Sequence, residues 1–181
     1  MNTKTQNYLI ALLLVMAFLI AHHGWAQPKP EITGATILNA FAVDKGYYGC
    51  VWKIYLEAED PNGQMLRIAC SVDQPGYGHY PADWVYLKPE FRKHFKGYIQ
   101  WNTFSTNAPS LSDGTQIMLR VSIFDKAGHE SKEVVFPFTF LSEARGQPNL
   151  PAPFDQGVNS RLGFLHIDLF NPDSGMGMGS G

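Results

Sequence analysis

Three runs of this chain alternate apolar and polar residues, and turn residues stand between or beside them. In CVWKIYLEAED (50–60), Cys50, Trp52, Ile54, Leu56 and Ala58 share one parity, and Lys53, Glu57 and Glu59 share the other. MLRIACSV (65–72) repeats the pattern with Leu66, Ile68, Cys70 and Val72, and Ile117, Leu119, Val121 and Ile123 repeat it again. A period of two is that of a strand with one buried face, which excludes a helix over these segments. Pro61-Asn62-Gly63, Ser112-Asp113-Gly114-Thr115 and Ala127-Gly128 supply the residues that tight reversals need. Further β-prone runs cover 32–43, 97–104 and 133–141, with Pro137 placing the last at an edge or a change of sheet. Residues 77–96 read as a long loop with room for a turn or two of helix near 88–96. Roughly six or seven short strands without a long helical period predict an all-β fold, a single antiparallel β-sandwich over residues 31–141.

Two stretches carry a family resemblance. SDGTQIMLRVSIFDKAGHESKEV (112–134) resembles the last hairpin of bacterial immunoglobulin-like and fibronectin-III-like domains, with its DGT turn, alternating strand and Asp-x-Ala-Gly reversal. EAEDPNGQ (57–64) is similar to the early turn of cadherin-like modules. Gln116-Ile117 stands where those families often place an aromatic residue. The resemblance spans residues 31–141 and implies an Ig-like sandwich without implying an activity.

The first residues read as an address. Lys4 precedes an unbroken apolar run, Tyr8 to Ala21, and Gly24 and Ala26 stand at −3 and −1 of a cut after Ala26. That is the layout of a secretory signal peptide over 1–26, followed by a short segment, 27–30. The apolar run falls short of the ~20 residues that cross a bilayer, so no stable membrane span is expected once the leader is removed. The expected location is the periplasm, the medium or the cell surface. In an oxidising compartment, Cys50 and Cys70, both of inward parity on neighbouring strands, are expected to form a disulfide. Two cysteines without CxxC or histidine spacing give no metal site. The chain has a net charge of −2, and no concentrated basic surface suits nucleic acid.

Phosphate loops, zinc motifs and a serine elbow are absent from the sequence, so no cofactor, metal or catalytic residue is expected. His79 and Asp83, four residues apart, offer the best acid–base pairing, without a nucleophile beside them. Asp44, Asp60, Asn62, Asp113 and Asp125 read as turn caps, because a cadherin-type calcium site draws ligands from two successive modules. Aromatic residues are more telling. They make up 13% of the chain, and nine of them fall between residues 77 and 104. Tyr77 and Tyr80, set among glycine and proline, are expected on an exposed loop. With Trp84 and the basic Arg92 and Lys93 they form the expected partner-binding surface. A carbohydrate-binding module using loop 77–84 is the alternative.

Beyond residue 141 the composition changes. Residues 142–160 read as a proline-rich linker, 161–170 (RLGFLHIDLF) as an apolar docking segment, and 171–181 as a disordered Gly/Met tail. Phe164, Leu165, Ile167 and Phe170 either fold back on the parent sandwich or add as a strand to another envelope or extracellular protein, and the length of the spacer favours the second. The expected function is therefore that of an exported, non-enzymatic binding protein, an accessory or assembly subunit of a bacterial envelope or extracellular complex.

Overall fold

The computed structural model describes residues 28–44, 47–102, 111–141 and 149–170, with backbone only at 39, 41–44 and 47–50. The leader, the terminal Gly/Met tail and residues 142–148 of the linker lie outside the described residues. The described chain forms eight strands: β1 (Glu31–Asp44), β2 (Tyr47–Glu59), β3 (Met65–Gln74), β4 (Gly78–Tyr86), β5 (His94–Asn102), β6 (Gln116–Asp125), β7 (Val134–Thr139) and β8 (Ser160–Leu165). They make two four-stranded sheets, ordered β1-β2-β5-β8 and β4-β3-β6-β7. This is an all-β, two-sheet sandwich compatible with an Ig-like domain. Among the described residues no helix is long and apolar enough to cross a membrane.

The alternating runs pack as their parity requires. Trp52, Ile54, Leu56 and Ala58 of β2 meet Ile68, Cys70 and Val72 of β3 and Ile117, Leu119, Val121 and Ile123 of β6 in one core. Leu66, expected inward, is half-buried, because a bulge between Met65 and Arg67 puts Met65 in the core instead. At the centre, the Trp52 ring meets Trp101 at 4.7 Å and Phe138 at 4.9 Å, both edge-on. Such aromatic contacts add to the area they bury.

The turns close as their residues dictate. Asp60, only 1% exposed, accepts the backbone N–H groups of Asn62 (2.9 Å) and Gln64 (2.7 Å), while Gly63 takes φ +64°. The second turn has Gly114 at φ +89° and Thr115 bonded to the Ser112 carbonyl through both its N–H and its hydroxyl. Gly128, at φ +88°, reverses the chain after β6, where Asp125 accepts the His129 N–H at 2.8 Å. Only glycine takes such positive φ values freely.

The structure corrects several further expectations. Residues 78–86, read as part of a loop, form β4, an edge strand that pairs antiparallel with β3. The expected helical stretch shrinks to one 3-10 turn, Pro89–Phe91. No disulfide holds Cys70, which is a free and fully buried thiol. Burial pushes that thiol well above its ordinary pKa, so it is inert. Finally, residues 160–165 pair with β5 of the same chain, in parallel, from Gly97↔Ser160 to Trp101↔Leu165. The apolar segment pairs within its own sandwich, the fold-back fate of the two that the sequence offered, and the fold is not wholly antiparallel.

The proline-rich stretch before β8 is no free spacer either. Phe154 is buried against Tyr55, with ring centroids 5.6 Å apart. Lys96 donates to the carbonyls of Pro153 (3.2 Å) and Gln156 (2.7 Å). Residues 149–157 are thereby held on the β1-β2-β5-β8 sheet, and β8 starts in register with β5. Two glycines make room for that strand. A Cβ on Gly97 would overlap the Ser160 carbonyl, and one on Gly163 would lie 2.5 Å from Val85 Cγ1 on β4.

Candidate binding surface

The final segment, β8 and the residues after it, runs between β5 of one sheet and β4, the edge strand of the other. Leu165, Ile167 and Leu169 alternate inward and join the core, leaving His166, Asp168 and Phe170 exposed. Side chains on the flanking strands bind its backbone at residues 166, 167 and 170. Asp83 of β4 accepts the His166 N–H at 2.7 Å, and the Trp101 indole N–H donates to the Ile167 carbonyl at 2.9 Å. Gln74 clamps Phe170, donating its side-chain amide to the Phe170 carbonyl (2.7 Å) and accepting the Phe170 N–H (3.1 Å). The Tyr80 hydroxyl donates to Gln74 Oε1 at 2.7 Å and accepts the same Phe170 N–H at 2.8 Å.

This clamp fixes one aromatic pair at the surface. Tyr77, in the β3–β4 turn, and Phe170 lie with ring centroids 5.3 Å apart, and each is close to half exposed (49% and 48%). Gly76 and Gly78, both with positive φ, shape the turn that presents Tyr77. The pair is rigid, because a strand turn holds one ring and a hydrogen-bonded backbone holds the other. Rigid rings give contact area at little entropic cost on binding.

The expected site residues separate into groups. Tyr77 and Phe170 come together at the surface, with Tyr80 beneath them as the hydrogen-bonded support. Leu165 and Ile167 are core residues. Phe164 is half-buried under the Arg161 guanidinium, 4.5 Å from its ring centre. Trp84 lies toward the other end of β4, against Arg67 and Phe124. Arg92 and Lys93 do not join Tyr77, for their carbonyls accept Met65 N–H (3.1 Å) and Asp60 N–H (2.9 Å), at the start of β3 rather than its end. Gln74 and Phe124, which sequence reasoning left out, are the support of one group and a ring of the other. Gln74 is 1% exposed at a strand end, and a buried amide there is the kind of residue that needs specific partners.

The acid–base pairing of His79 with Asp83 does not form. His79 Nδ1 lies 2.6 Å from Asp73, while both Asp83 oxygens accept backbone N–H groups, from Trp84 and His166. Asp73 also takes Arg120 Nε at 2.9 Å. Those bonds to Arg120 and His79 hold its carboxyl below the ordinary range. Asp125 likewise falls below that range: burial pushes it up, but its bonds to His129 and to the His129 and Ala127 backbone outweigh that. Among the described residues no three His, Cys, Asp or Glu side chains converge as metal ligands would. No family model, no curated protein and no solved structure matches this chain.

Proposed function

We infer that this is an exported, non-enzymatic binding protein, an accessory or assembly subunit of a bacterial envelope or extracellular complex. The observation that carries the reading is the Tyr77–Phe170 pair, two large rings held half exposed by hydrogen bonds between Gln74, Tyr80 and the Phe170 backbone. Aromatic anchors on a preorganised support are what interface hot spots are made of. The signal-like leader supports export, and the use of Asp83 and His79 in structural bonds supports a role without catalysis. The partner contact moves from the basic stretch and the final strand to this aromatic pair, because β8 is engaged within its own sheet.

A photoreactive amino acid placed at Tyr77, at Phe170 or at the 87% exposed Val158 tests this in native cells. The expected result is one discrete adduct, shared by positions 77 and 170 and absent at 158. The same adducts from all three positions, or none at 77 and 170, would overturn the reading.

A further inference from the structure

A second surface lies on the outward face of the β4-β3-β6 sheet, near the end of β4 opposite Tyr77. Strand register places Arg67 of β3 between Tyr86 of β4 and Phe124 of β6, with Trp84 one pleat along. The Arg67 guanidinium carbon lies 4.0 Å from the centre of the Trp84 ring and 5.7 Å from that of Phe124. Those two rings meet edge-on at 5.4 Å. The floor beside them is small, since Ala69 and Ser122 pair in register and both are buried. Tyr86 is 62% exposed.

Arg67 is the unusual member. No carboxylate pairs with it among the described residues, and its Nε is buried without a hydrogen-bond partner. The guanidinium lies over the indole, a contact that holds it in place, and with Nε buried it is the Nη1/Nη2 edge that is left for a further partner. That edge is a fork that fits a carboxylate with two parallel bonds. Next to the fork, Tyr86 and Trp84 offer flat apolar rings. Residues 160–170 run along the β4 edge, as the Asp83–His166 bond shows, so a peptide cannot add there as a strand. The flat outward face of β4 remains open.

We propose that this face binds an acidic oligosaccharide of hexuronate units, with a sugar ring stacked on Tyr86 and Trp84 and its carboxylate held by the Arg67 fork. The inference stands apart from the Tyr77–Phe170 reading. The two surfaces are separated by most of β4, roughly 20 Å at strand spacing, so variants of one leave the other intact.

The test titrates the full chain with trimers of galacturonate, mannuronate and glucuronate, each beside its neutral methyl ester, following tryptophan fluorescence and heat. At least one acid trimer binds, and its ester binds about tenfold or more weakly, the loss expected for a charge-assisted pair of bonds. Arg67→Met keeps the apolar stem and erases the difference between acid and ester. Tyr86→Ala, at an exposed position that folding tolerates, weakens acid and ester alike. Tyr77→Ala changes neither. Equal binding of acid and ester, an Arg67→Met protein that still prefers the acid, or no acid trimer bound at about 10 mM overturns the proposal. Binding of hexaglutamate in place of every trimer overturns it too, and assigns the face to acidic peptide.

Discussion

Replacing Leu165 with alanine separates a strand that belongs to its own sandwich from one that waits for another subunit. Leu165 pairs with Trp101 in the β5–β8 register, is 3% exposed, and packs in the core formed by both sheets. Two neighbouring bonds prevent easy collapse around the missing atoms: Asp83 holds the His166 N–H, and the Trp101 indole holds the Ile167 carbonyl. A leucine truncated in such a site costs ~2–5 kcal/mol through lost transfer energy and the remaining cavity. For a domain of this size that lowers the melting temperature by roughly 6–15 °C. Thermal unfolding of the purified protein, followed by circular dichroism at two protein concentrations, is the assay. The variant should melt lower by that amount, and neither protein's midpoint should depend on concentration, since the contact is intramolecular. A variant melting within about 1 °C of the parent, or a midpoint that rises with concentration, would refute the reasoning and return the segment to docking between molecules.

Three further outcomes follow from the same packing. Phe154→Ala should cost about 3 kcal/mol, as a buried phenylalanine does, whereas a free spacer would lose nothing in a urea titration. Cys70 should resist alkylation in the native protein and take one alkyl group in denaturant without reductant; a Cys70 that stays blocked until reduced would contradict the free thiol. Asp73 and Asp125 are held below the ordinary carboxylate range, so the stability they add is fully present above about pH 4 and lost as pH falls through their lowered folded values. Melts from pH 7 down to acid should show that loss, and Asp125→Asn should flatten it; an unchanged slope in the variant would place the acid sensitivity elsewhere.

The strands that were legible are those with one wet and one dry face. β2, β3 and β6 alternate so regularly that parity alone names most of their core residues, and the turns beside them carry the Asp and Gly that the backbone needs. β4 was not legible. GHYPADWVY includes Pro81, and as an edge strand it has only one inward residue that is fully buried, Val85. Its weak alternation comes from a strand lined on one side by residues 160–170. Parity also misled on the cysteines. It puts both inward, yet it says nothing of position along a strand: Cys50 pairs with Phe41, beyond the end of the β2–β5 ladder at Val51↔Asn102, while Cys70 sits mid-sheet between Asp83 and Val121. The fate of residues 161–170 rested on non-local fit, on Gly97 and Gly163 leaving space and on Gln74 and Tyr80 waiting for a backbone 90 or more residues away in sequence. No local pattern encodes that. The described members of the aromatic cluster divide between the core, the clamp and two separate surfaces.

We propose that the aromatic pair Tyr77–Phe170, not the final strand, makes the contact with a partner. The most direct measurement is a parallel reading of melting temperature and binding to the cross-linked partner for Tyr77→Ala/Phe170→Ala. Both rings are about half exposed and the clamp bonds to the Phe170 backbone survive the change, so the melting temperature should hardly move. Affinity should fall about thirtyfold or more, the ~2 kcal/mol typical of interface aromatic anchors. Unchanged affinity in a protein that melts markedly lower would contradict the claim, and would make the pair part of the fold that closes the sandwich.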